Sequence, residues 1–186
     1  LGFAAKDSLA NLFAGVSILA DSPFRVGDFI TLEGGCRGRV TYIGMRSTRL
    51  LTLDEIEVIL PNSVIANSRI VNESGGPGPQ HRIRLNVSVA YGSDAEFIRE
   101  TLMACTEGAL SLSTSRPPQA FFRGFGDSGL DFELLVWLTD PAKRDLVMDQ
   151  LNGRIYAALN EAKVEIPYNK LDVYMQPAVQ RDAVSE

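Results

Sequence analysis

Ile83-Arg84-Leu85-Asn86-Val87-Ser88-Val89-Ala90-Tyr91-Gly92-Ser93-Asp94-Ala95-Glu96 is the stretch that sets the architecture of the C-terminal half. Ile83, Leu85, Val87, Val89 and Tyr91 alternate with Arg84, Asn86 and Ser88, the period of a strand with one face buried. Ser93 to Glu96 then reads as a capping box, with the serine accepting the Glu96 N–H while the glutamate reaches back. A strand running straight into a capped helix is the start of a mixed α+β unit.

Downstream, the helix carries Ile98, Leu102, Cys105 and Ala109 on one face. Residues 120–125 form a second strand, and Asp127-Ser128-Gly129 a turn. Leu130, Phe132, Leu134, Val136 and Leu138 alternate in a third strand. Asp140-Pro141 supplies an N-cap and a proline at the first helical position. Val147, Leu151, Ile155, Ala158 and Ala162 face the core of that helix, and residues 164–168 close the set as a fourth strand. The order β-α-β-β-α-β over residues 82–170 is the split pattern of ferredoxin-like domains.

Upstream, residues 73–80 are dominated by glycine and proline and have nothing to bury, so a linker is placed at 75–81. Before it, five short apolar runs (28–33, 39–43, 47–53, 55–60 and 69–72) are punctuated by Gly34, Gly35, Gly38 and Gly44 and by an Asp54-Glu55 turn. Five strands in so short a segment, 23–74, imply a small, bent β-barrel or sandwich. Residues 1–22 read as a helix. Leu9, Leu12, Phe13, Val16 and Leu19 form an apolar stripe, and Lys6, Ala10, Ala14 and Ser17 a slim one, which lets helix backbones approach closely. Pro23 ends it. Lys6, Asp7, Ser8 and Asn11 make this segment too polar for a complete membrane span, so it reads as the end of a longer one. From Gln176 the chain is a polar tail with little to bury.

Composition narrows the function. The 186 residues are 45% hydrophobic and 22% charged, with a net charge of −5. That balance supports a core and argues against nucleic acid as a partner. Cys36 and Cys105 sit apart in apolar patterns, as reduced thiols do. The single histidine, His81, has no Cys or His at metal-ligand spacing, so neither a metal nor another cofactor is expected. Gly34-Gly35-Cys36-Arg37-Gly38 lacks the Lys-Ser/Thr and the following helix of a phosphate loop and reads as a turn. Ser128 has no histidine base in reach, and the stretch from Gly124 to Gly129 reads as a hairpin. Glu55 and Glu57 share one face of a strand as a solvated pair. No enzyme constellation emerges.

Lys6-Asp7-Ser8-Leu9-Ala10-Asn11-Leu12-Phe13-Ala14-Gly15, followed by Ser22-Pro23-Phe24-Arg25-Val26-Gly27-Asp28, resembles the signature of the MscS-like mechanosensitive channels. Pro61-Asn62-Ser63 with Asn72, then Val89-Ala90-Tyr91-Gly92-Ser93-Asp94, then Ile166-Pro167-Tyr168, resemble further marks of that family in the same order. The resemblance implies a pore-helix segment, a small Sm-like five-stranded β-barrel domain, a ferredoxin-like α/β domain and, within 171–186, a C-terminal strand over 171–176 followed by a tail. It implies a homoheptamer enclosing a cytoplasmic cage beneath the bacterial inner membrane, through which ions and small osmolytes leave under membrane tension. The lipid bilayer is then a partner of the longer subunit, whose tension-sensing helices precede this segment.

Carried over residue by residue, Phe3 falls at an apolar pore-seal position, where a dry apolar ring blocks ions. Asp7 stands where well-known members have a kinking glycine, and Lys6-Asp7 matches a subset in which an ion pair between neighbouring subunits is one role. Ala10 and Ala14 match small residues along which helices slide, and Gly15 a lower bend. Pro23, Phe24, Arg25, Gly27 and Asp28 match the helix-to-barrel junction. The alternating Glu/Ile pattern near residues 55–60 offers an assembly edge. The competing reading is an Sm-like RNA-binding or scaffold module, against which the acidic balance and the first helix count.

Overall fold

The computed structural model describes residues 2–75 and 81–168, with side chains described from Lys6 onward. The side chain of Phe3, residues 76–80 of the linker and the strand expected over 171–176 lie outside the described residues.

The first helix, α1 (Gly2–Asp21), is one unbroken run of 20 residues. It ends where Ser22 adopts φ 45° and donates its N–H to the Ile18 carbonyl at 2.9 Å, a left-handed exit that satisfies one terminal acceptor. Pro23, with no N–H to give, follows. The chain then enters five short strands: β1 (Phe29–Leu32), β2 (Arg37–Ile43), β3 (Ser47–Leu51), β4 (Glu57–Pro61) and β5 (Ile70–Asn72). They pair antiparallel in the order β4-β3-β2-β1-β5, with a bulge between Val40 and Tyr42 that accentuates the local twist. Gly34 and Gly35 take φ of 96° and 88° in the β1–β2 turn, a backbone that glycine adopts without strain.

Two features depart from the sequence expectation here. A short helix, α2 (Asn62–Ala66), occupies the β4–β5 connection. No β4–β5 ladder closes the sheet, so among the described residues it is open rather than a closed barrel. β5 has only three residues, all paired to β1, and α2 takes up the chain between the two edges.

Ile18 of α1, Phe24 of the junction, Ile30, Leu32, Val40, Leu50 and Ile65 make one buried cluster. Each fully buried aliphatic side chain of this kind contributes about 1.5–3 kcal/mol of transfer free energy. The sheet and α1 therefore share a core.

The second sheet has three antiparallel strands in the order β6-β8-β7: β6 (His81–Ala90), β7 (Gln119–Phe125) and β8 (Gly129–Leu138). β6 and β8 pair over ten residues, from His81 opposite Leu138 to Ala90 opposite Gly129. α3 (Ala95–Ala104) and α4 (Arg144–Glu161) pack on one face, so Ile83, Leu85, Phe132, Leu134, Val136, Ile98, Leu102, Val147, Leu151, Ile155 and Leu159 form a second core. β8, paired along both edges, is buried along most of its length.

Several local expectations are corrected. Asp94, not Ser93, caps α3: its Oδ1 accepts from the N–H of Glu96 at 2.9 Å and of Phe97 at 3.2 Å. Gly92, at φ 93°, turns the chain so that the Ser93 hydroxyl donates back to the Ala90 carbonyl at 2.8 Å. α3 ends at Ala104, and Cys105 is its buried C-cap rather than a helix-interior residue. Asp140 accepts from Ala142 N–H at 3.1 Å as anticipated, but Pro141 opens a single 3₁₀ turn before α4 begins. The inward row of α4 ends on Leu159, while Ala162 is exposed at the C-cap. Residues 164–168 form no strand, although the Ala90 N–H donates to the Glu165 carbonyl at 2.8 Å beside β6. Lys163, at φ 55°, bends the chain into this segment, and Pro167 has no N–H for a ladder. Glu55 lies in a turn at φ 60°, so it shares no strand face with Glu57. Cys105 is buried, Cys36 half-buried, and both thiols are free.

Candidate functional site

The candidate site is the junction of α1 with the first sheet, together with the cleft that joins the two sheets. Its first part is a helix-on-loop contact. Asn11, Gly15 and Ile18, at helical spacing, form the inward line of α1. Gly15 lies against the loop after β2: a Cβ at this position would stand 2.6 Å from Asn62 Nδ2 and nearer still to the Met45 carbonyl oxygen. The glycine is therefore required by close approach.

That loop is held by Asn62, which has no exposed surface. Its Oδ1 accepts from the Thr48 hydroxyl at 2.9 Å, its Nδ2 donates to the Gly44 carbonyl at 2.8 Å, and its N–H donates to the Arg46 carbonyl at 3.0 Å. Thr48 is fully buried too. Buried amides and hydroxyls persist only when paired, and here each is. Asn11 adds a link from the helix: its Oδ1 accepts from Ser63 N–H at 3.0 Å while its Nδ2 donates to the Asp7 carbonyl at 2.9 Å.

The second part is the helix-to-sheet turn. Phe24 is buried and anchors it, while Pro23, Arg25 and Gly27 are exposed. Gly27, at φ 98°, donates its N–H to the Val40 carbonyl at 2.8 Å. One carboxylate oxygen of Asp28 accepts from Arg25 N–H at 2.9 Å and from Asn72 Nδ2 at 2.8 Å. Asn72 also donates to the Pro23 carbonyl at 3.2 Å and accepts from the N–H groups of Ser74 and Gly75. Asp28 and Asn72 thus tie the helix exit to the end of the sheet. The Arg25 guanidinium forms no ion pair among the described residues.

The outer side of α1 packs against no other element among the described residues. Leu9, Phe13, Val16 and Leu19 are 49–63% exposed. Lys6, Asp7 and Ala10 are exposed beside them, Ala14 and Leu12 half-buried. Among the described residues, Lys6 and Asp7 make no ion pair within the chain.

The third part bridges the sheets. Arg37 binds Glu73 through two bonds, Nε to Oε1 at 2.9 Å and Nη2 to Oε2 at 2.8 Å, and the Thr31 hydroxyl donates to Oε1 at 2.8 Å. Burial opposes ionisation of Glu73, but the bonds from Arg37 and Thr31 outweigh it and hold the carboxyl below its ordinary range. Those bonds in turn raise the Arg37 guanidinium. Arg37 and Arg39 both lie over the Phe29 ring, at 4.6 and 5.9 Å from its centroid. Arg39 then reaches across to Asp140 at 2.9 Å, a contact between residues 101 apart in sequence. His81 sits in the same cleft; burial, then the charges of Arg144 and Arg37, push its imidazole below the ordinary range against the pull of Glu73.

Pro23, Phe24, Arg25, Gly27 and Asp28 are neighbours in sequence; the structure buries Phe24 and bonds Asp28 to the Arg25 N–H and to Asn72, and leaves Pro23, Arg25 and Gly27 exposed. Sequence reasoning did not assign Thr48 or Glu73 to a site, because a lone threonine or glutamate carries no pattern. Asn62 and Asn72 had a signal, an asparagine at the end of a strand before a turn, but the partners of their amide groups across the fold are 14 to 49 residues away. Among the described residues no His/Cys/Asp/Glu group could hold a metal ion, and no helix is long and apolar enough to cross a membrane.

An α+β chain of two antiparallel sheets, led by a helix with one docked face and one bare apolar face, has the build of an assembling subunit. Residues 7–75 match the family described as mechanosensitive ion channel, beta-domain, and residues 83–166 match mechanosensitive ion channel MscS, C-terminal. The chain belongs to the MscS family of mechanosensitive ion channels. It is 33% identical over 175 residues to the mechanosensitive channel MscK of Escherichia coli, covering 94% of this chain and 15% of that protein. It is 31% identical over 173 residues to a small-conductance mechanosensitive channel of Helicobacter pylori, covering 93% of this chain and 62% of that protein. The crystal structure of Helicobacter pylori MscS in its closed state superposes with a TM-score of 0.79 at 31% identity, over 95% of this chain and 68% of that one. The chain thus spans between about a seventh and about two thirds of these relatives.

Proposed function

We propose that this chain is the pore-exit helix and cytoplasmic vestibule of a mechanosensitive channel subunit, whose longer form releases ions and small osmolytes when membrane tension rises. The observation that carries the reading is the two-sided α1. Its inner line is locked to the sheet by Gly15, Asn11 and Ile18, while Leu9, Phe13, Val16 and Leu19 lie exposed among the described residues. Such a stripe beside the small residues Ala10 and Ala14 suits a helix packed against copies of itself around an axis. In this reading the assembly is a homoheptamer, Phe3 lies at the pore seal, Lys6 and Asp7 meet across neighbouring helices, and Gly15 is the lower bend.

The domain division follows the same reading: pore-helix end 1–22, β-domain 23–74, linker 75–81, α/β domain 82–170, and a C-terminal strand and tail 171–186. The β-domain is of Sm-like type, supported by five antiparallel strands with β1 and β5 paired. Its free edge strand β4, with Ile59 and the neighbouring Ile56 exposed, is suited to contact a second copy. The α/β domain is ferredoxin-like, supported by the β6-β8-β7 order with α3 and α4 on one face and residues 164–168 beside β6. The full-length protein lies in the bacterial inner membrane with this region in the cytoplasm, acts without a cofactor or catalysis, and binds no nucleic acid.

Patch-clamp of the full-length subunit under suction tests the function, with a pressure-activated current expected. No current from a well-expressed, membrane-inserted subunit overturns mechanosensitive gating. Light scattering tests assembly: a seven-fold mass is expected, and L9N/F13N is expected to shift the population towards smaller species.

A further inference from the structure

We propose that the cleft between the two sheets is a binding site for a phosphate-bearing anion, held by Arg37, Arg82, Arg84 and Arg144. The cavity, of about 440 Å³, is lined by these four arginines with Glu73, His81 and Ile83. Four arginines and one carboxylate line the cleft, with Asp145 near enough to act on Arg37, in a chain whose net charge is −5. So local a reversal of sign concentrates a positive potential that the composition does not reveal.

The carboxylate does not cancel it. Both oxygens of Glu73 are engaged by Arg37, and Oε1 by Thr31 as well, so it offsets the charge of Arg37 and leaves those of the other three arginines. The other arginines are weakly committed. Arg84 stays 3.9 Å from Glu133, whose other oxygen is taken by Arg123. Arg144 lies 3.5 Å from its sequence neighbour Asp145, with both side chains largely exposed. Arg82 is exposed and has no ion pair among the described residues. Guanidinium groups bind phosphate in bidentate fashion, and a dianion gains from several of them at once, whereas chloride offers neither the geometry nor the second charge. The volume of the cavity leaves room for a small organic group on the phosphate.

The placement has a structural consequence. Arg37 belongs to β2, Arg82 and Arg84 to β6, and Arg144 opens α4. A bound dianion therefore ties the two sheets together beside the Arg39–Asp140 bridge and opposes their relative movement. This inference stands whether or not the chain serves as a channel vestibule.

His81 supplies the readout, because it is the single histidine of the chain and lines the cleft. Its imidazole faces Arg37, Arg144 and Glu73; the arginines and burial hold its protonation down, and a bound dianion reverses that bias. The experiment follows ¹³C-labelled histidine by NMR in the full chain while inorganic phosphate replaces chloride at constant ionic strength. A saturable change in the His81 signal is expected, with its titration midpoint moving to higher pH. R82Q is expected to weaken the phosphate response by about tenfold, the scale of one lost charge-assisted contact. The Arg82 side chain makes no ion pair or hydrogen bond with another described residue, so R82Q is expected to keep the fold, and R116Q, outside the cleft, is expected to respond as wild type. Glycerol phosphate forms a second arm. Saturation by both ligands assigns recognition to the phosphate group, and saturation by glycerol phosphate alone assigns it to phosphomonoesters. A linear response of equal size in wild type and R82Q reports ionic screening only and overturns the proposal.

Discussion

A Cβ on Gly15 of α1 would stand 2.6 Å from Nδ2 of Asn62, whose own side chain is fully buried and bonded to Thr48 and Gly44. The helix is thus seated on a rigid polar post rather than on a yielding apolar surface. For G15A we expect a loss of about 1–3 kcal/mol from overpacking against backbone and a fixed amide. Gly153, inside α4, has open space around it, so G153A is expected to gain about 0.5–1 kcal/mol of helix propensity. Urea unfolding of the two variants should move the midpoint in opposite directions. A neutral G15A would mean that α1 is not held in this seat.

The post itself is expected to be more sensitive than the contact. N62A strands the Thr48 hydroxyl and the Gly44 carbonyl without partners, and each buried orphan costs about 1–3 kcal/mol. T48V, which removes one hydroxyl and leaves the amide bonded to Gly44, should cost less. Thermal melts of the two single variants and the double variant form a cycle, and a clear non-additive residue is the expected result.

Acid should weaken the fold through the cleft. The Glu73 carboxyl is held below its ordinary range, so its contribution is present above the unfolded value and is lost as pH falls through the folded one. The His81 imidazole is also depressed, so protonation favours the unfolded chain and stability begins to decline below about pH 6.5. H81F is expected to remove the earlier decline and E73Q the later one, below about pH 4.3. Denaturant midpoints measured from pH 8 to pH 3 would separate the two steps.

Capping of α3 offers a direct test of local structure. Asp94 accepts two backbone N–H groups, so D94A is expected to cost about 1 kcal/mol. S93A loses only a hydroxyl bond to the Ala90 carbonyl and should cost a few tenths of that. Chemical denaturation ranks the pair, and the reverse order would restore Ser93 as the cap.

Much of the architecture was legible in the sequence because it is encoded by neighbours. The alternation from Ile83 to Val89 and from Leu130 to Leu138 forces one face of each strand inward, and the structure pairs those runs residue by residue. Pro23 ends α1, Gly34 and Gly35 turn β1 into β2, and Asp140 caps the turn before α4, all from short-range stereochemistry. The family marks lay in the same local runs.

What the tertiary structure alone decided are relations between residues far apart. The sequence marked a greasy stripe on α1, yet the line that docks is Asn11, Gly15 and Ile18, because the sheet offers a backbone loop and a polar post rather than a broad apolar trough. Asp94 displaced Ser93 as the cap because Gly92 aims the serine backwards. Among the described residues no ladder joins β4 to β5, whose connection is taken up by α2. Arg39 finds Asp140 across 101 residues, and four arginines from three elements converge on one cleft in an acidic chain. Periodicity and turn chemistry fix φ, ψ and which face is apolar. Which charges and amides meet depends on how completed elements pack, and only the folded chain contains that information.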